Sequence, residues 1–342
     1  MTIPLAILGL GTWGQRLVAA VNARPRPSGL VRFTHACLRD RAKYEPVLRE
    51  HGLAHSAFED LLGGDEVEAV VIATPHSQHF AQCKQALLAG KHVFCEKPLA
   101  MTSGQTRELY ELADRLGLVL AVGFNRRFLP AIAHLKRMID EGELGTVINV
   151  EGNFSGAFGL SYSSDAWRAS DTDAPGGGLT AMGIHVIDIF IHLLGPVESA
   201  QAQAFRRVEG VPIDDTVNLV VRFASGLPGY LTTMMATPWI WRLQIFGTEA
   251  WVQMRSDRAL EIQRVVEADD RYLDRVPEVI SFPPCDTERK ELEAFGRALR
   301  GEERFPVEAH QVINGAFVMD SAIGAIRLMT EHLPRCPGQK GT

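Results

Sequence analysis

At 342 residues the chain has the length of two domains, and 46% apolar with 22% charged residues is the balance of an ordinary globular protein. A net charge of −6 with no dense Lys/Arg block argues against a nucleic-acid backbone as the main partner, though not against an anionic small molecule. No run of ~20 apolar residues predicts a membrane span, and five cysteines without a Cys-x-x-Cys pair predict neither a disulfide framework nor structural zinc, which together with the missing basic leader points to a cytoplasmic protein.

In chain order, short β-branched runs at 5–9, 32–38, 68–73, 92–95 and 119–123 alternate with helical patterns at 13–22, 41–51, 78–89 and 103–116. That alternation predicts βαβ units and a parallel sheet. Thr102 with Gln105 three residues on reads as a capping box for the last of these helices. After a helix over 130–141 the pattern changes. Strands are predicted at 147–154, 198–206, 216–223, 229–235, 242–246 and 250–254, the last four without intervening helices, so the sheet they form should be antiparallel. One long helix over 179–194 interrupts them, and helices over 286–300 and 308–329 close the chain; residues 263–285 give no clear pattern. Leu292, Phe295 and Leu299 fall on one helical face.

Gly9-Leu10-Gly11-Thr12-Trp13-Gly14 follows the first strand and opens the first helix. The glycines permit a tight turn, close approach of main chain to a pyrophosphate, and tight helix–strand packing, with the phosphates on the helix N-terminus. A glycine turn at this place in a series of βαβ units predicts a dinucleotide site. The end of the second strand sets the cofactor. Leu38 cannot hold a ribose diol, while Arg39, with Arg41 nearby, can pair with a 2′-phosphate, which favours NADP(H) over NAD(H). In the competing register Asp40 holds the ribose and restores NAD, or it simply caps the next helix.

Several dispersed motifs agree in order. Beside the glycine turn stand Ala73-Thr74-Pro75-His76-Ser77-Gln78-His79, Glu96-Lys97-Pro98, Gly123-Phe124-Asn125-Arg126-Arg127-Phe128, Trp167-Arg168, Pro175-Gly176-Gly177-Gly178, Gly183-Ile184-His185-Val186-Ile187-Asp188 and Phe246-Gly247-Thr248-Glu249. With them the chain resembles the glucose–fructose oxidoreductase / inositol dehydrogenase / MocA family over most of its length. The resemblance implies an α/β Rossmann domain with a doubly wound parallel sheet, residues 1–123. It implies a second α+β domain, residues 124–342, built on an open, mainly antiparallel sheet, whose C-terminal helices can pack back on the first. It further implies dinucleotide contacts from Thr74, Pro75, His76, Glu96, Lys97, Trp167 and Arg168, which join those expected from Gly9, Gly11, Thr12, Trp13 and Gly14 of the glycine turn and from Leu38 and Arg39 at the second strand end, with His79 and Asn125 as further candidates. A homodimer or homotetramer through the second-domain sheet is expected.

Hydride transfer at a carbinol carbon needs a group to take or give the hydroxyl proton, and a lysine whose pKa is brought down by burial and neighbouring cations can do so. Lys97 is the expected proton donor and acceptor, with His185 assisting by the resemblance; the plainer alternatives are a surface lysine paired with Glu96 and a core histidine. Asp188, three residues beyond His185 on one helical face, with Arg127 and Trp167, is expected to meet substrate. The spacing of His76 and His79 suits a metal, but no further ligand completes a site, so none is expected. At one position the sequence departs from the resemblance: Ala181 stands four residues before His185, where an aspartate is implied. Either Lys97 and His185 suffice, or another carboxylate replaces it, or the activity is altered. The expected substrate is a sugar, polyol or related cyclic hydroxy or oxo compound. The competing functions are transient oxidation by a retained nicotinamide, as in a glycosidase or an eliminating enzyme, and a non-catalytic cofactor-binding regulator.

Overall fold

The computed structural model describes residues 2–23, 25–265 and 276–332. Six parallel strands open the chain: β1 (Ile3–Leu8), β2 (Val31–Cys37), β3 (Ala54–His55), β4 (Ala69–Ile72), β5 (His92–Glu96) and β6 (Leu120–Gly123), in spatial order β3-β2-β1-β4-β5-β6. Helices α1 (Thr12–Asn22), α2 (Arg41–His51), α3 (Phe58–Gly63), α4 (His76–Leu88) and α5 (Ser103–Leu116) make the crossovers. β4 is buried at every position, as a strand covered on both faces requires. The order reverses between β1 and β4, so the strand ends carrying Gly9 and Ala73 form the crevice in which such sheets bind ligands.

After α6 (Pro130–Asp140) come β7 (Val147–Ser155), α7 (Ile184–Leu194), β8 (Val197–Phe205), β9 (Thr216–Phe223), β10 (Pro228–Met234), β11 (Ile240–Gly247), β12 (Ala250–Ser256), β13 (Ala259–Arg264) and β14 (Glu278–Ser281). They form an eight-stranded sheet in the order β14-β13-β12-β11-β7-β10-β9-β8, antiparallel except where β10 runs parallel to β7. Strand β9 alternates buried and half-exposed residues, the mark of a sheet covered on one face. Both β13 and β14 lie in or beside the stretch that gives no sequence pattern; residues 266–275 of that stretch lie outside the described residues.

The chain then returns. α8 (Thr287–Leu299) buries Leu292 and Phe295 in the core of the first sheet, beside Phe94, and α9 (Ala309–His332) packs on α5, α7 and β8. Asp320 of α9 accepts from the amide and hydroxyl of Ser103, at 2.8 and 2.6 Å, at the start of α5. The stretch Ala309–Met329, with mean hydropathy 1.4, is long and apolar enough by composition to span a bilayer, which the sequence reading did not expect; here it is a packed helix carrying Asp320.

Candidate active site

The glycine turn is built for close approach. Gly9 has φ +90°, and a Cβ there would lie 2.7 Å from the carbonyl oxygen of Ala73, so no other residue fits. A Cβ on Gly14 would lie 2.0 Å from the Gly9 carbonyl, whereas at Gly11 it would meet nothing within 4 Å. Gly11 is the N-cap of α1 and no side chain caps that helix, so its first amides and the positive end of its dipole face the open side of the turn. This cradle fits the pyrophosphate of a dinucleotide. At the end of β2, Leu38 is half-buried and Arg39 is exposed. Asp40 is the N-cap of α2 and accepts from the Lys43 amide at 3.2 Å.

At the ends of β4 and β5 polar groups hold the chain in place. Thr74 donates to Gln82 at 2.6 Å. His79 is fully buried, with its two ring nitrogens 2.7 Å from the Pro98 carbonyl and 2.9 Å from the Thr74 carbonyl, so it ties the two strand ends together. His76 has Nδ1 2.5 Å from the Asp173 carbonyl and its ring edge-on to Trp167 at 4.9 Å; Arg168 lies over that indole at 4.0 Å. Both histidines are thus engaged with main-chain oxygens, and burial pushes both below the usual imidazole range.

The Lys97–Pro98 bond is cis. Lys97 is partly exposed, yet its amine reaches inward and donates to the Ala181 carbonyl at 2.7 Å. Burial brings it down to about 8, opposed by Glu96 and helped by Arg168 and Arg126. Glu96 is buried, accepts from Trp13 Nε1 at 2.5 Å and is raised to about 7 by burial, against the pull of Lys97 and the indole.

The predicted helix over 179–194 is not one regular helix. Leu179–Gly183 is a π turn in which the amide of Ile184 reaches back five residues to Leu179, and α7 follows. Such widened turns recur at functional sites. Gly177 precedes it with φ +51°, and a Cβ there would lie 2.3 Å from the Asp214 carbonyl, so the glycine run lets the turn pack tightly on the second sheet. The turn presents the Ala181 carbonyl to Lys97, and His185 follows four residues later. His185 is buried against Phe124 and Phe154, and its Nδ1 has no hydrogen-bond partner among the described residues. Burial, then Lys97 and Arg126, hold it well below the usual range, so the ring is neutral at pH 7.

Arg127 and Asp188, both expected to meet substrate, are paired with each other in the structure. Arg127 Nε and Nη2 donate to the two oxygens of Asp188 at 2.8 and 2.5 Å, both side chains are 3% exposed, and Arg127 also donates to Gln311 of α9. A buried bidentate pair of this kind is occupied with itself. Asn125 donates to Thr287 at 3.3 Å. Arg126, which the sequence reading set beside Arg127, lies over the rings of Phe154 and Trp241, at 4.5 and 4.3 Å, and pairs with Asp257 at 2.6 Å. Sequence reasoning missed the aromatic wall that follows: Trp239 meets Phe154 at 5.0 Å and Phe158 at 6.1 Å, and Trp239 and Phe158 are 58% and 44% exposed. Its members lie 85 residues apart at the extremes, so only the sheet brings them together.

Residues 3–124 match the family described as oxidoreductase, NAD-binding Rossmann fold, and residues 132–253 match the GFO/IDH/MocA C-terminal domain. The chain belongs to the GFO/IDH/MocA oxidoreductases. Among relatives of this family, an uncharacterized oxidoreductase of Schizosaccharomyces pombe is 33% identical over 198 residues, 56% of this chain and 53% of its own length. The match therefore spans about half of that relative. Trans-1,2-dihydrobenzene-1,2-diol dehydrogenase of Oryctolagus cuniculus is 27% identical over 80% of this chain and 81% of its own. D-xylose 1-dehydrogenase (NADP(+)) 2 of Haloferax volcanii is 26% identical over 91% and 94%. Among solved GFO/IDH/MocA structures, levoglucosan dehydrogenase in complex with NADH and levoglucosan shares the fold with TM-score 0.84, at 22% identity over 96% of this chain and 98% of its own.

Proposed function

We propose that this chain transfers hydride between a nicotinamide dinucleotide and a carbinol or carbonyl carbon of a sugar, polyol or related cyclic compound, with Lys97 as proton carrier and His185 assisting. The observation that carries this reading is the Lys97 amine, drawn down to about 8 and aimed at the Ala181 carbonyl beside His185. A bound nicotinamide supplies the hydride acceptor or donor. The chain's own residues handle the proton. Neutral Lys97 Nζ takes it from the substrate hydroxyl in oxidation, and the ammonium returns it to the carbonyl oxygen in reduction. His185, neutral and walled by rings, offers a hydrogen bond to the same oxygen. The exposed faces of Trp239 and Phe158 suit the apolar face of a ring-shaped substrate. The relatives' names, a dihydrodiol, a pentose and an anhydrosugar dehydrogenase, agree with that class.

The pH dependence follows with a definite sign. Oxidation needs neutral Lys97, so kcat/KM for oxidation rises with pH through about 8 and then levels; reduction needs the ammonium and falls through the same range. Ala181→Asp places a carboxylate beside the amine, stabilises the ammonium, and moves both limbs up by about 1 unit or more. Profiles of the two forms check this; coincident limbs would show that Lys97 does not set them.

NADP(H) is the preferred cofactor in this reading. Arg39 is exposed at the end of β2, while Asp40 is engaged in capping α2 and so is a poor ribose ligand. Arg39→Ala is expected to weaken NADPH about 10-fold or more, the loss of one charge-assisted contact, with NADH little changed. Fluorescence titration of both dinucleotides measures it, and tighter NADH than NADPH binding to the unaltered chain would reverse the assignment.

A further inference from the structure

Two arginines stand side by side after β6, and their guanidiniums are used differently. Arg127 donates from Nε and Nη2 to both oxygens of Asp188, the side-on fork that fits a carboxylate. Arg126 keeps that same edge unused. Its hydrogen bond runs from Nη1 to Asp257, and neither Nε nor Nη2 has a partner among the described residues. Nor are those two nitrogens sealed from solvent, as the unpartnered Nε of Arg242 is. The side chain is nevertheless held in place. It is 13% exposed, and its contacts with the rings of Phe154 and Trp241 restrain the guanidinium before any ligand arrives. Phe154 also meets His185, at 6.0 Å, and Trp239, at 5.0 Å. One aromatic ring thus separates the free fork from the histidine of the proposed chemistry and from the exposed indole. The surrounding charge favours an anion. Arg126 and Arg168 both act on Lys97, and Arg168 forms no ion pair among the described residues. Of the acids that face this group, Glu96 is held by Trp13, and Asp257 takes only the far end of Arg126.

We propose that the substrate carries a carboxylate, as a sugar acid or a cyclic hydroxy acid does, and that Arg126 receives it on the Nε–Nη2 edge while the reacting hydroxyl faces Lys97 and His185. The proposal rests on the hydride-transfer reading of this site and narrows its substrate class. Two parallel N–H bonds match the planar carboxylate, the arrangement that Arg127 already makes with Asp188. Asp257, 48% exposed, holds the outer nitrogen and leaves the fork to the ligand. The spacing of one aromatic ring between Arg126 and His185 suits a substrate whose acid and hydroxyl lie on opposite sides of a six-membered ring.

Steady-state oxidation with NADP+ and with NAD+ over matched pairs tests this: D-glucuronate with D-glucose, D-galacturonate with D-galactose, and quinate with myo-inositol. Wherever a pair turns over, the acid is expected to have the higher kcat/KM by about 10-fold or more, the scale of a charge-assisted contact, and to gain it through KM. Added KCl should erode that advantage, because it screens the attraction. Arg126→Gln, which keeps a polar side chain without the charged fork, should erase most of the preference by raising KM for the acid. Asp257→Asn, on the exposed side, should lower KM for the acid, since a competing charge is gone. Neutral partners used as well as the acids overturn the proposal, and so does a preference that survives in Arg126→Gln or weakens in Asp257→Asn. D-Glucose 6-phosphate used better than D-glucuronate overturns the carboxylate in favour of a phosphate. If no member of any pair reduces either dinucleotide, the hydride-transfer reading falls and this one with it; turnover of the neutral members alone sinks only this one.

Discussion

Lys97→Met is expected to lower turnover by ~10²–10⁴, the usual contribution of a positioned acid–base group, while dinucleotide affinity is kept. The methionine preserves the length of the side chain but can neither donate to the Ala181 carbonyl nor exchange a proton. The removed ammonium also relieves His185, whose depression owes more to Lys97 than to any other charge. Residual activity should therefore lose the limb near pH 8 rather than merely shrink. Steady-state kinetics over pH, with cofactor binding measured in parallel, separates this from a folding defect. A loss of less than about 10-fold would mean that another group carries the proton.

The second large effect is on stability. Arg127→Met leaves the Asp188 carboxyl buried with no counter-charge, and breaking one side of such a pair costs about 3–5 kcal/mol. Burial already pushes Asp188 above its usual range against the pull of the guanidinium, so the stranded acid will be driven further toward its neutral form. Asp188→Leu strands the arginine instead. The double variant should recover much of either loss, because an apolar pair replaces both charges at once. Urea denaturation of the four proteins gives the coupling. Single losses under about 1 kcal/mol that simply add would show that the pair braces nothing. The pair links the turn after β6 to α7, and through Gln311 to α9, so its loss should also loosen the approach to His185.

Much of this was legible in the chain. The glycine turn and the alternation of strand and helix depend on local pattern, a period of 2 or 3.6 or a residue type that a tight turn demands, and Lys97 stands out at its strand end, whereas His185 is singled out by the resemblance alone. What escaped was set by distant parts of the chain or by the main chain. Arg127 reads as an available cation until Asp188, 61 residues later, is folded against it. The partner of Lys97 has no side-chain signature at all. Ala181 lacks the implied carboxylate, and its place is taken by a carbonyl that every residue possesses, oriented by a π turn no periodicity announces. Strand β14 follows the undescribed stretch and is mostly exposed, so no apolar alternation marks it.

The return of α8 has a consequence for how the protein is made. Phe94 and Val31, in the first domain, complete their packing only against Phe295 and Gly296, 201 and 265 residues later. A nascent chain emerging from the ribosome therefore carries one uncovered greasy surface through most of its synthesis. The first sheet is finished last, and the half of the protein that grips the nucleotide matures only after the other half has been translated.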